Sequence, residues 1–355
     1  MKHRKAILAS ALILLMVVSA AQVFGQGSFK PKAEYTMQVN VGPLYDWGVG
    51  AQRWADLVKE KTGGRVNVKP YFGSSLLAGK QTNWYQAVAD GSIDFVVEST
   101  INASSVIKSF NLFNLPFFMP SYEAVDKIQA GKAGEMIVKE FEKGGIKFLA
   151  WGENGFRQIT NSKREVKTPQ DMVGLKFRAV GSPIFVDMFK ALGSDVVLMS
   201  WADAVTAFQQ GVVDGQENPK SVLTVVKIWE YHKYLTNWYY VLDPLVFGVN
   251  MRVWNSFPAD IQKAIQEAAL EAAEYEKALA RAYLDGTKSV EKLKNKYGVT
   301  AVDAYAEARA KGMIITDLTP AQLQAFKDKL LPVYDKWVPQ IGKTIYEAAL
   351  EDMKK

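Results

Sequence analysis

The sequence predicts an α/β protein built of two domains, and three features lead there. Behind a leader-like start, about 330 of the 355 residues remain, more than one hydrophobic core usually holds. Strand-like and helix-like patterns alternate along the chain, and they do so in two successive units. The chain has no cysteine, so its core has to hold without disulfides, which this length allows.

The first element is the leader. A basic tip, Met1-Lys-His-Arg-Lys5, precedes an apolar run from Ala6 to Ala21. Small residues at Ser19, Ala20 and Ala21 suit a signal-peptidase site, so residues 1–26 are assigned to a signal peptide. The run is short for a membrane span and nothing like it recurs, so the mature protein is expected not to be membrane-embedded. Three of the 43 basic residues lie in this tip, which leaves 40 against 37 acidic residues, a net of +3. That balance gives no reason to expect nucleic acid.

Tyr35 to Val41 alternates as a strand, with Met37, Val39 and Val41 on one side. Asp46 to Lys61 has helical spacing, with Val49, Trp54, Leu57 and Val58 on one stripe and Gly63-Gly64 as its stop. Val66 to Pro70 is a second strand, Lys80 to Asp90 a helix ended by Gly91, and Ile93 to Glu98 a third strand. Phe110 to Met119 is apolar but broken by proline, an ordered loop with buried side chains. Ser121 to Gly144 is helical and Lys147 to Trp151 a strand. A second unit starts near Phe156. Thr168-Pro169 opens a helix, with threonine as cap and proline in the first turn. Strands follow at Leu175–Val180, Val196–Met199 and Val212–Gln216, and helices at Pro183–Leu192, Asp203–Gln210 and Val222–Glu230.

Tyr234 to Asn250 is extended and nearly uncharged, a strand buried on both faces that crosses between the domains as part of a hinge. Residues 258–293 form one long helix spanning both domains, with Ile261, Ile265, Ala268 and Ala272 on a stripe. Thr319–Leu331 and Val333–Met353 are two further helices. The division is therefore residues 27–154 with about 243–275 for the first domain, and 155–242 with part of 276–355 for the second.

Much chemistry is missing. The histidines are His3, in the leader, and His232, too few for a two-histidine metal site. A Ser-His-Asp triad would need His232, and no G-x-S-x-G elbow supplies its serine. Ser105-Val-Ile-Lys108 fits S-x-x-K and Lys61-Thr-Gly63 fits K-T-G, but in the reverse of the β-lactamase order and without S-D-N between them. No G-x-G-x-x-G or Walker loop occurs. The expectation is a protein that holds no cofactor or metal and catalyses nothing. The rival readings are an enzyme using Glu98 and Asp243 as an acid/base pair, and a periplasmic sensor or interaction protein.

One stretch is specific. It runs Gly155-Phe-Arg157, Thr168-Pro-Gln-Asp171, Gly174-Leu-Lys-Phe-Arg178, and then Ala207-Phe-Gln-Gln-Gly-Val-Val-Asp-Gly-Gln-Glu-Asn218-Pro219. With Ala87-Val-Ala-Asp-Gly-Ser-Ile-Asp94, Leu115-Pro-Phe-Phe118 and the long helix, it resembles the DctP-type solute-binding proteins of tripartite ATP-independent periplasmic (TRAP) transporters. The resemblance covers nearly the whole mature chain. It implies a type II-like periplasmic binding fold in which two α/β domains close over a small organic acid. It also implies delivery of that acid to the membrane subunits of a TRAP permease.

The resemblance places Arg178 as the arginine that clamps the ligand carboxylate. A planar guanidinium fits a carboxylate bidentately, and one set among Leu175, Phe177 and Val180 needs a partner. Arg157 matches a second family arginine, with a structural ion pair as its plainer role. Asn218 offers an amide to the ligand, or else is a turn residue before Pro219. Trp201 stands at an aromatic position and lies against the ligand skeleton, or else packs in the core. Glu98 matches an acidic position that touches ligand or orients an arginine. Trp84, Tyr239 and Asp243 are weaker candidates, placed by the elements that should line the cleft. The stretch Ser200-Trp-Ala-Asp203 departs from the common family pattern, which leaves the ligand open. The aromatic content, with Phe117, Phe118 and Trp238 counted in, favours an aromatic or branched-chain monocarboxylate. A uronate, a sialate or a dicarboxylate is the alternative.

Overall fold

The computed structural model describes residues 29–282, 288–299 and 303–355; the expected signal peptide lies outside them. Ten strands occur among these residues. They are β1 (Tyr35–Val39), β2 (Val68–Tyr71), β3 (Phe95–Ser99), β4 (Ile146–Asn161), β5 (Lys176–Ala179), β6 (Asp195–Leu198), β7 (Gly215–Pro219), β8 (Tyr234–Asn237), β9 (Leu242–Asn250) and β10 (Ile314–Asp317). Eight of them lie side by side in the order β2-β1-β3-β9-β4-β7-β5-β6, and β8 joins β4 to β10. The first three pair in parallel through helical returns, as do β5, β6 and β7. Both β9 and β4 run antiparallel to their neighbours.

The sheet is sewn together by β4. Its residues from Ile146 to Phe156 pair with β9, and those from Arg157 to Asn161 pair with β7. The expected strand, Lys147 to Trp151, stops short of Gly152-Glu-Asn-Gly155. Irregularities between Phe148 and Ala150 and between Glu153 and Gly155 absorb the misfit, and the strand runs on for 16 residues. Gly155 sits at φ +108, a backbone that a side chain rarely adopts.

Alternation along the central strands divides the core by face. Val96 and Val246 enter one apolar cluster, while Phe95, Val97, Leu245, Phe247 and Val249 enter the other. The helix Ala259–Arg281 closes the second face, packed on the helix Asp46–Lys61 and on β4. Close approach requires Gly50, where a Cβ would stand 2.6 Å from Cβ and Cγ of Glu276.

Four expectations are corrected. The stretch 234–250 is two strands, because Tyr239, at φ +50, turns the chain between β8 and β9. The long helix ends at Arg281 rather than near 293, and a separate helix spans Lys288–Tyr297. Arg281 is fixed there by the buried Glu153 (2.7 and 2.9 Å) and the partly exposed Asp126 (2.8 Å), partners that helical periodicity does not reveal. The strand expected at Val212–Gln216 is Gly215–Pro219, with Val212 outside it. Near the C-terminus, Pro320–Ile341 is one helix that runs through Pro332 and Pro339, and the break falls at Gly342 (φ +101).

Candidate functional site

A cavity of about 340 Å³ opens where β3, β4, β5, β7 and β9 approach one another. Of the residues expected at the site, Arg178, Arg157, Asn218, Trp201 and Asp243 line it together. They come from four different strands and the first turn of the helix Trp201–Gln209, so only the folded sheet assembles them.

Arg178, on β5, is 2% exposed. Its Nε and Nη2 donate to the carbonyl of Met199 at 3.1 and 2.8 Å, and its guanidinium lies 5.5 Å from the Trp201 ring. No carboxylate among the described residues reaches ion-pair distance of it. Burial pushes the guanidinium down to about 10, which leaves it charged at neutral pH.

Arg157, on β4, is the opposite case. Its Nε and Nη2 grip both oxygens of Glu217, Nη1 donates to Asp243 Oδ2 at 3.0 Å, and Nη2 also reaches Asn218 Oδ1 at 3.0 Å. Burial alone would lower this guanidinium; the charges of Glu217 and Asp243 outweigh it and raise it. Asn218 spends its Nδ2 on Gln216 Oε1 (2.7 Å). Asp243 accepts from Ser99 Oγ at 2.5 Å, from Asn154 Nδ2 at 2.7 Å and from Arg157, so neither of its oxygens is idle. Trp201 is held at two points. Its backbone N–H donates to Gln81 Oε1 (2.6 Å) and its indole N–H to Tyr45 Oη (3.3 Å).

Glu98 lies behind the cavity wall and touches no arginine. Gln38 Nε2, Asn102 Nδ2 and the N–H of Ser99 donate to it, each at 3.2 Å. Burial pushes its carboxyl up to about 8, and the nearby Asp243 charge adds to this. A carboxyl raised in the folded state binds its proton more tightly there than in the unfolded chain. Its contribution to stability is full below the unfolded value near 4.5 and is lost as pH rises through about 8. Glu98→Gln is therefore expected to melt with wild type at pH 5 and above it at pH 9. Parallel melting curves across that range would show that Glu98 is ionised throughout.

Five expected neighbours are absent from the cavity. Trp84 is fully buried in the core against Tyr85 and Phe141. Tyr239 is exposed and packs on Phe156 with the Lys220 ammonium 5.3 Å away. Trp238 stacks with Tyr240 in the core, and Phe117 and Phe118 pack on Tyr240 and Tyr346. His232 is structural: its Nδ1 lies 2.8 Å from Thr160 Oγ1 and burial pushes it down to about 3.

Sequence reasoning missed Asn40, Trp47, Gln81, Ser99, Asn102 and Asn154, all of which line the cavity. Trp47 carried the one usable signal, since an indole at the start of a helix stands beside the strand end that precedes it. The amides carried none.

Residues 38–340 match the DctP family, described as bacterial extracellular solute-binding protein, family 7. The crystal structure of a TRAP periplasmic solute-binding protein from Ralstonia eutropha H16, with bound (S)-2-acetolactate, is 44% identical. The likeness has a TM-score of 0.85 and covers 91% of this chain and 99% of that one. A solute-binding protein of Verminephrobacter eiseniae is 32% identical over 91% of this chain and 89% of its own length. The C4-dicarboxylate-binding periplasmic protein DctP of Rhodobacter capsulatus is 29% identical over 85% of each.

Proposed function

Since the chain belongs to the DctP family of extracellular solute-binding proteins, we propose that it captures a short, branched-chain monocarboxylate in the periplasm and delivers it to a TRAP permease. The observation that carries this reading is Arg178, a buried guanidinium at the cavity with no carboxylate of its own. Such a charge needs an anionic partner, and a ligand carboxylate is one.

The ligand body follows from the walls. Val41, Ile101, Val180 and Val222 line the cavity, with the indoles of Trp47 and Trp201. The other aromatics expected there lie elsewhere, which removes the main support for an aromatic acid. A dicarboxylate needs a second free cation, and Arg157 is already taken by Glu217 and Asp243. The bound acid of the Ralstonia protein, a branched monocarboxylate, is in keeping with this reading. The division into two lobes near residues 154 and 242 is supported by β4, which changes partners after Phe156, and by the start of β9 at Leu242.

Calorimetric titration with a panel of branched-chain acids, succinate, glucuronate and phenylpyruvate tests the proposal. Heat of binding is expected from the branched acids, which should be recovered unchanged. Binding of succinate or glucuronate alone would overturn the ligand class. A protein that binds no organic acid would overturn the capture itself.

A further inference from the structure

The polar groups at the cavity wall are mostly satisfied by one another. Asn218, Asn102, Gln81 and Ser99 each donate and accept within the protein. Arg178 has donors to spare. The indole N–H of Trp47, a residue 3% exposed, has no partner. The carbonyl oxygen of the Asn154 side chain, also in a residue 3% exposed, has none either. The orientation of that amide is not free. Its Nδ2 donates to Asp243 Oδ2 at 2.7 Å, and a flipped amide would set oxygen against carboxylate oxygen. Asn154 therefore keeps a buried acceptor beside the cavity, and buried polar atoms without partners are rare enough to need a reason.

We infer that the ligand carries a hydroxyl group as well as its carboxylate, and that Asn154 reads it. This rests on the carboxylate reading of Arg178. A carboxylate satisfies Arg178 and Trp47 but has no hydrogen to give Asn154. A plain fatty acid leaves Asn154 Oδ1 unpaired. A 2-oxo acid brings further lone pairs toward it. A hydroxyl group donates to Asn154 and leaves its own oxygen for a donor. Asn154, Trp47 and Arg178 line the same cavity, so the hydroxyl sits close to the carboxylate, on carbon 2 or carbon 3.

Four probes of nearly equal size separate these cases: 2-hydroxy-3-methylbutanoate, 3-hydroxy-3-methylbutanoate, 3-methyl-2-oxobutanoate and 3-methylbutanoate. At least one hydroxy acid is expected to bind roughly tenfold to a hundredfold tighter than the oxo and unsubstituted acids. In Asn154→Ala that ratio is expected to fall to about one. Where this variant does not fold, the wild-type ratio alone decides. Equal affinities that still vanish in Arg178→Ala would overturn the inference and leave the carboxylate reading standing. They would mean that Asn154 is satisfied from the smaller cavity it also borders, beside Tyr122 and Ser221. Affinities untouched by Arg178→Ala overturn the carboxylate reading, and the inference with it. Failure of all four acids to bind overturns the inference.

Discussion

Arg157→Met is expected to lower stability by about 3–5 kcal/mol, the usual cost of breaking a buried ion pair from one side. Glu217 is wholly buried and Asp243 is 1% exposed, so neither carboxylate can turn to water once the guanidinium is gone. Tyr240 Oη also donates to Glu217 (2.8 Å), which eases but does not remove that charge. The loss should appear as a lower urea midpoint with an unchanged slope. Adding Glu217→Gln to the variant should recover part of it, because one stranded charge is then removed. An unshifted midpoint together with lost ligand affinity would instead make Arg157 a ligand clamp.

Arg178 is expected to behave in the reverse way. Arg178→Ala should cost at least about a hundredfold in affinity for the bound acid, as loss of a charge-assisted pair does. It should leave the melting temperature of the unliganded protein unchanged or higher, because the charge removed has no internal counterion. Arg178→Lys should lose nearly as much affinity. An ammonium offers no planar fork for the carboxylate and cannot reproduce the paired donation to Met199. Titration and melting of the same preparations give both readings. Near-normal affinity in either variant would refute the role.

The contrast between the two arginines was the part of the site that sequence could not supply. Motif position placed both at the cavity, and both are there. What each is bonded to depends on Glu217 and Asp243, which are 60 and 86 residues from Arg157 along the chain. Helix Asp46–Lys61 and strand β3 were legible because their periodicity is local. The extension of β4 past Gly152 was not, since it depends on register with β9 and β7. Trp84 illustrates the limit on the apolar side. An indole inside a helix gives the same local signal whether it faces a core or a cleft, and here Phe141, a distant residue, decides for the core.

The place of β9 in the sheet sets the order in which the chain can fold. β3 finds its second neighbour only in residues 242–250, and β4 needs the same segment. A nascent chain of 200 residues therefore has open sheet edges on both β3 and β4, and no helix Ala259–Arg281 to cover the face they share. With such non-local pairing, the native sheet cannot be completed until more than two thirds of the polypeptide has been synthesised. For a protein exported as proposed above, that delay keeps the chain threadable through a translocation pore while it is being made.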